Sequence, residues 1–284
     1  MAAEILDGKK LSAEVMEEVR RRTEKLKAHG VTPGLAVILA GEDPASQIYV
    51  RNKGKACREA GMYGETVLLP GDVSQERLEA EIDRLNMDPR IHGILVQLPL
   101  PASLNEHSAL LRISPEKDVD GFHPLNAGRL MDGSAGVIPC TPRGAMYLLH
   151  HTGANLSGMD AVVVGRSNIV GKPMAALLLR ENCTVTLCHS RTSDLSEHTR
   201  RADILVAAVG RAGLITEDMV KNGAIVIDVG INREAGKIMG DVDYENVRRK
   251  ASWITPVPGG VGRMTIAMLM LNTLEAAERN TFCD

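Results

Sequence analysis

Leu11, Val15, Val19 and Leu26 recur at helical spacing among charged residues, so the chain opens with an amphipathic helix. The apolar run "GLAVILAG" (34–41), punctuated by glycine, predicts a short buried strand. A helix over 49–60 follows, ended by Gly61 at a C′ position. "ETVLLPG" predicts a second strand, and "SQERLEAEIDRLN" a helix whose capping box is partial, Ser74 having Arg77 where Glu would complete it. "IHGILVQLPLP" predicts a third strand, stopped by Pro99 and Pro101.

Beyond the loop "SPEKDVDGFHPLNAGRL", the segment "PCTPRGAMYLLHHTG" predicts a proline-started helix that crosses to a second lobe. From Asp160 the rhythm restarts. Strands "AVVVG", "TVTLCHS", "DILVAAVG" and "AIVIDVGI" alternate with helices "KPMAALLLREN", a segment ending at Arg201, and "TEDMVKNG". Short Val/Ile-rich strands alternating with helices mean parallel β/α units with helices on both faces. "RMTIAMLMLNTLEAAERN" closes the chain as a long helix. The fold class is α/β: two α/β lobes flanking a cleft, the second a Rossmann-type nucleotide-binding domain with a parallel sheet. The length agrees, since 284 residues exceed what one core usually fills, about 100–150 residues being typical of a domain.

Composition narrows the classes. With 44% hydrophobic and 24% charged residues and a net charge of -3, the chain reads as a globular protein without a nucleic-acid or membrane surface. The N-terminus lacks a basic n-region before an apolar one, so no signal peptide is expected. Five cysteines (Cys57, Cys140, Cys183, Cys188, Cys283) are scattered with no CxxC pair, which speaks against a disulfide framework or zinc site. They are expected to be small buried hydrophobes in a reducing cytoplasm. Aromatics are only 2%, so any ring-shaped ligand must be held largely by backbone, aliphatic and polar groups.

Two stretches carry chemistry. "AVVVGRSNIVGKPMAALLL" places Gly165 at the end of a buried strand and Gly171 at the opening of a helix, with Pro173 near its first position. That arrangement offers backbone amides and a helix dipole to a diphosphate, although the spacing is not GxGxxG and an ordinary βα turn is the plainer alternative. At the end of the next strand, "TVTLCHSRT" carries no carboxylate for a ribose hydroxyl. Arg166 and Arg191, with Ser190 donating, suit a 2′-phosphate instead, so NADP is expected over NAD; surface solvation is the alternative for both arginines.

The second stretch is "YVRNKGKACREAG". Arg51, Lys55 and Arg58 share one helix face at i, i+4, i+7, while Lys53 lies on the stripe of Tyr49, Ala56, Cys57 and Ala60. A lysine there either snorkels to water or is desolvated, and desolvation favours the neutral amine that acid–base chemistry needs. Gln97 stands inside an apolar strand, where its amide must find a partner. Asp120 lies in a turn beyond the strand ends, where α/β ligand sites gather, or simply shapes that turn; Asp118 is read as turn-forming. No metal is expected, because Asp-x-Asp alone makes a poor cage.

Together these stretches resemble the bifunctional methylenetetrahydrofolate dehydrogenase/cyclohydrolase family over nearly the whole chain: "SQIYVRNKGKACREAG", "GILVQLPLP", "PEKDVDGFHPLNAGRL", "PCTPRG", "VVGRSNIVGKPMAALL", "CHSRT", "ADILVAAVG", "VIDVGIN" and "PVPGGVGRMT". The resemblance implies NADP-dependent oxidation of 5,10-methylenetetrahydrofolate to the methenyl cation, then its hydrolysis to 10-formyltetrahydrofolate. It implies that Lys53 is catalytic and assisted by Gln97, that Tyr49 packs on the substrate ring, that Asp120 holds the pterin edge, and that Ser46 belongs to the same cluster. Gly165, Arg166, Ser167, Gly171, Ser190 and Arg191 would serve the adenosine and phosphate end. Gly230 and Ile231 would meet the nicotinamide, and Pro258, Gly259 and Gly260 would wall the cleft. A homodimer through the nucleotide lobe is implied, with residues 1–141 and 266–284 forming the folate-binding catalytic domain and 142–265 the NADP domain. The chain departs from the family's usual GGVGPMT by carrying Arg263 where proline is common, which loosens that loop's fixed φ. A shikimate-type NADP dehydrogenase is the alternative enzyme reading, and a dinucleotide-sensing scaffold the non-enzymatic one.

Overall fold

The computed structural model describes residues 2–234 and 236–282; Cys283 therefore lies outside the described residues. In chain order the elements are β1 (Glu4–Ile5), α1 (Gly8–Ala28), β2 (Gly34–Ala40), α2 (Pro44–Glu59), β3 (Tyr63–Leu69), α3 (Gln75–Met87), β4 (Gly93–Val96), α4 (Glu106–Arg112) and α5 (Pro124–Asp132). They continue with α6 (Cys140–His151), β5 (Asp160–Val164), α7 (Gly171–Arg180), β6 (Thr184–Cys188), α8 (Leu195–Thr199), β7 (Ile204–Ala207) and β8 (Ile225–Asp228). A short hairpin, β9 (Asn232–Glu234) and β10 (Lys237–Met239), precedes α9 (Tyr244–Val247), β11 (Trp253–Ile254) and the closing α10 (Val261–Phe282).

Two compact units result, one of Ala13–Cys140 with Ile266–Asp284 and the other of Met1–Ser12 with Thr141–Thr265. The first holds a three-stranded parallel sheet, β3-β2-β4. All seven residues of central β2 are buried, which is why that strand is an unbroken apolar run rather than an alternating one. Its core gathers Ile38, Ile94 and Val96 against Leu78, Ile82 and Leu85 of α3. Each such buried Leu or Ile contributes about 1.5–3 kcal/mol relative to an exposed one.

The second unit is a six-stranded parallel sheet ordered β1-β11-β8-β7-β5-β6. Chain progress turns outward from β5 in both directions, to β6 on one side and to β7, β8 and β11 on the other. That is the 2-1-3-4-5 doubly wound order, and its switch point lies at the carboxyl end of β5. Val162, Val164, Leu205, Ala207, Val226 and Ile254 form its buried middle.

Several expectations are corrected by these bounds. The helix expected from Tyr49 begins at Pro44, because Asp43 caps it by accepting from the Ser46 amide at 2.7 Å and Pro44 supplies a preset first turn. Gln97 lies just past the end of β4 instead of within a strand. "TEDMVKNG" forms only a three-residue 3-10 turn, Glu217–Met219, and the helix expected to reach Arg201 stops at Thr199. Residues 4–5 pair with β11, so the first twelve residues group with the nucleotide unit and not with the first lobe. Pairing of so short a strand has no periodicity to read. Cys57, Cys140, Cys183 and Cys188 are buried, and burial pushes the Cys57 thiol up to about 11.

Candidate active site

In the first unit the site is built on α2. Ser46, Tyr49 and Lys53 stand at i, i+3 and i+7, on one face. Ser46 is buried, Tyr49 is 39% exposed and Lys53 is half-buried, while Arg51, Lys55 and Arg58 are exposed. Lys53 Nζ donates to Gln97 Oε1 at 3.0 Å. Gln97 is oriented for this, since its Nε2 donates to the Leu98 carbonyl at 2.7 Å and its backbone amide to Ile38 O at 2.9 Å. The carbonyl end of the amide is thereby left to face the ammonium.

Asp120 is half-buried. Burial raises its carboxyl above the ordinary range; the Lys53 charge pulls it back down, and Asp118 pushes it up. Lys53, Gln97 and Asp120 are thus one electrostatic cluster.

The loop that carries Asp120 is held from three sides, of which the sequence pointed only to Asp118 and not to Lys117 or Asn272. Asp118, buried and raised by that burial, accepts from the amides of Phe122 and His123 and from Asn126 Nδ2 at 3.2, 2.8 and 2.9 Å. Lys117 Nζ donates to the carbonyls of Leu85, Asn86 and Asp88 at 3.2, 2.8 and 2.9 Å, capping α3. Asn272 of α10 donates to Val119 O at 2.8 Å and Ile138 O at 3.0 Å. A turn-forming role is therefore correct for Asp118. The available signal was an amide, Asn272, directly after the apolar run "AMLML".

In the second unit the loop after β5 sits at the switch point. Gly165 has φ +127, and a Cβ there would lie 2.1 Å from Ala208 O; one on Gly171 would lie 2.0 Å from Gly165 O. Only glycine allows the strand end and the start of α7 to approach this closely. Ser167 Oγ accepts from the amides of Val170 and Gly171 at 3.1 and 3.3 Å, so the first turn of α7 is capped from inside the loop. Arg166 and Ser167 are exposed. At the end of neighbouring β6, His189 accepts the Arg191 amide and donates its own to Thr192 Oγ1, a turn that leaves Ser190 and Arg191 exposed. Gly230 and Ile231 follow β8, and Pro258, Gly259 and Gly260 occupy the turn between β11 and α10. There the Arg263 amide donates to Gly260 O at 3.1 Å, a bond proline could not make.

Among the described residues, no set of three His, Cys, Asp or Glu side chains is placed to hold a metal ion, and no helix is long and apolar enough to cross a membrane.

A doubly wound sheet with a glycine-turned loop at its switch point, joined in one chain to an α/β unit bearing a lysine–amide–carboxylate cluster, defines a two-unit nucleotide-dependent α/β enzyme. Residues 6–120 match the tetrahydrofolate dehydrogenase/cyclohydrolase catalytic domain, and residues 139–281 match that family's NAD(P)-binding domain. The chain belongs to the tetrahydrofolate dehydrogenase/cyclohydrolase family. It is 60% identical over 280 residues to the bifunctional protein FolD of Moorella thermoacetica, covering 98% of this chain and 100% of that one. The structure of the bifunctional FolD dehydrogenase/cyclohydrolase from Campylobacter jejuni matches with a TM-score of 0.97 at 52% identity, covering 98% of this chain and 100% of that one. The Trypanosoma brucei enzyme, solved with NADP cofactor and inhibitor, matches with a TM-score of 0.96 at 39% identity over 99% of each chain. A shikimate dehydrogenase from Aquifex aeolicus shares 14% identity at a TM-score of 0.51 over 88% of this chain and 98% of that one, a likeness of fold alone.

Proposed function

We propose that this chain oxidises 5,10-methylenetetrahydrofolate to 5,10-methenyltetrahydrofolate with NADP and then hydrolyses that product to 10-formyltetrahydrofolate, serving one-carbon metabolism. The observation that carries the reading is the Lys53–Gln97 hydrogen bond of 3.0 Å within electrostatic reach of Asp120, in a chain of this family.

The roles follow from chemistry. NADP, when bound, accepts a hydride from the one-carbon bridge. The methenyl carbon is already electrophilic, so hydrolysis needs a base for the attacking water and a proton for the ring nitrogen as the C–N bond breaks. Lys53 is assigned that exchange, with Gln97 fixing its Nζ. Asp120 accepts from the polar N–H edge of the pterin, its anionic form favoured by the Lys53 charge. Tyr49, one turn before Lys53, offers the ring face for stacking, and Ser46 backs it on the same stripe. Pro258, Gly259 and Gly260 belong to the nucleotide unit.

The nucleotide unit fits NADP on its own geometry. Gly165 and Gly171 bring α7's positive end against the strand terminus, and the end of β6 offers Ser190 and Arg191 with no carboxylate to repel a 2′-phosphate. Arg166 and Ser167 complete the anion-binding set, and Gly230 and Ile231 are assigned to the nicotinamide. On this reading residues 13–140 and 266–284 hold the folate chemistry and the remainder the coenzyme.

A homodimer through the nucleotide unit is also proposed. Edge strand β6 is unpaired on its outer side and Leu179 of α7 is 57% exposed, features a second copy would cover. Light scattering that returned a monomer at micromolar concentration would count against it. A cytoplasmic location is proposed from the scattered, buried cysteines with no CxxC pair, and fractionation tests it.

The deciding assay supplies 5,10-methylenetetrahydrofolate with NADP or NAD and follows reduced coenzyme and methenyl product separately. Both should form with NADP; absence of any reduced coenzyme refutes the reading.

A further inference from the structure

Two buried carboxylates in the nucleotide unit have no part in the roles above. Asp228, 3% exposed, ends β8, and Asp241, fully buried, follows β10. Asp and Glu are almost never so deeply buried without partners, and here the partners are N–H groups. Asp228 Oδ1 accepts from the amides of Gly230 and Asp241, both at 2.9 Å, and Oδ2 from Val242 at 3.0 Å. Asp241 Oδ2 accepts from the amides of Val209 and Gly210 at 2.6 and 3.0 Å, and Oδ1 from the Arg211 amide and Asn232 Nδ2 at 2.8 and 2.9 Å. The packing leaves no slack: a Cβ on Gly230 would lie 2.3 Å from Asp241 Cγ, and one on Gly240 1.8 Å from Asp228 Oδ2.

These bonds join segments far apart in sequence. Asp228 closes the base of the β9–β10 hairpin, taking one amide on the way out and two on the return. Asp241 ties that base to residues 209–211, the loop after β7. In the sheet β6, β5, β7 and β8 are successive neighbours. Three strand spacings of about 4.8 Å make the ledge of their carboxyl-end loops about 14 Å long, the span over which two nucleotides joined by a diphosphate extend. With adenosine at the β6 end and the diphosphate at the β5 loop, the second nucleotide falls on the loops after β7 and β8, which the two carboxylates hold.

We propose that Asp228 and Asp241 are positioning residues for the nicotinamide half of the coenzyme, acting through the backbone of residues 209–211 and 230–232. The proposal rests on the NADP reading of this unit. The ionised form, which for Asp228 prevails above about pH 7, suits the task because it only accepts; an Asn in either place turns one oxygen into a donor aimed at an N–H, and the loop must shift.

D228N and D241N test it, with folding checked by circular dichroism and thermal unfolding. Losing one charge-assisted bond corresponds to roughly tenfold or more in kcat/KM for NADP-dependent oxidation, read as a KM-against-kcat split. Affinity for adenosine 2′,5′-bisphosphate, which stops short of the nicotinamide, should stay within about twofold, and so should coenzyme-free hydrolysis of the methenyl compound. Unchanged kinetics with NADP in the folded variants overturn the proposal, as does an equal loss of affinity for the adenosine fragment, which marks general loosening. If a carboxylate variant does not fold, Asn232→Ala leaves the three amides on Asp241 in place and should still raise the KM for NADP over that for the fragment; no change there overturns it equally. Wild-type protein that reduces no coenzyme refutes the proposed function itself, whereas wild-type turnover beside unaffected variants refutes this inference alone.

Discussion

Replacing Lys53 with Met removes the ammonium and keeps a stem of similar bulk. In the folded state Lys53 makes a side-chain hydrogen bond to Gln97 Oε1 at 3.0 Å and is half-buried. A bond to a charged group contributes about 1.5–3 kcal/mol when dry, and partial exposure discounts this to about 1 kcal/mol. In a chain of this size that is a fall in Tm of about 2–4 °C. Proton transfer by a placed side chain contributes about 10²–10⁴ in rate, or roughly 3–5 kcal/mol of barrier. The catalytic loss should therefore far exceed the structural one. The assay follows decay of methenyltetrahydrofolate absorbance at 25 °C, where the variant remains folded, with NADP binding measured by calorimetry as the control. Hydrolysis should drop by at least about a hundredfold while NADP affinity holds. A variant that keeps its hydrolysis within about tenfold of wild type would refute the assignment of proton transfer to this amine. A second readout follows from the cluster: without the Lys53 charge to pull it down, the Asp120 carboxyl rises further, and folate binding should move to higher pH.

Gly165→Ala should destabilise the protein by about 2–5 kcal/mol, because its Cβ would meet Ala208 O at 2.1 Å in a left-handed backbone; urea unfolding showing less than about 1 kcal/mol contradicts the close approach. Arg191→Ala should raise the KM for NADP about tenfold and leave that for NAD nearly unchanged, and equal shifts in both would remove Arg191 from the 2′-phosphate site. Burial pushes the Asp228 carboxyl up to about 7 from its ordinary 3.8. The native state then binds this proton more tightly than the unfolded chain, so the group's contribution to stability is present below about pH 4 and is lost as pH climbs to about 7. D228N should flatten that part of the Tm–pH profile, and parallel profiles for the two proteins would contradict the buried environment.

Much of the architecture was legible as pattern. An all-apolar β2, the Val/Ile strands of the second half and the 3.6-residue spacing in α1 are local consequences of which faces must be buried. The division of cations on α2 was equally local: Arg51, Lys55 and Arg58 face solvent and Lys53 does not, as angular spacing requires. Two-residue β1 and the β9–β10 hairpin were not legible, since strands so short carry no period and exist through partners distant in sequence. Element ends were missed where a cap decided them, as at Asp43.

The sequence by itself thus determined the class of fold, the phosphate loop and the inward lysine, because backbone periodicity, glycine and helical angle are properties of neighbouring residues. Only the tertiary structure decided which polar groups share one electrostatic field. Asp120 meets Lys53 across 67 positions of chain, Asn272 reaches back to Val119, and Asp228 and Asp241 gather amides from three loops. Buried charge is tolerated only where the whole fold delivers its partners, and that delivery has no signature in any single stretch.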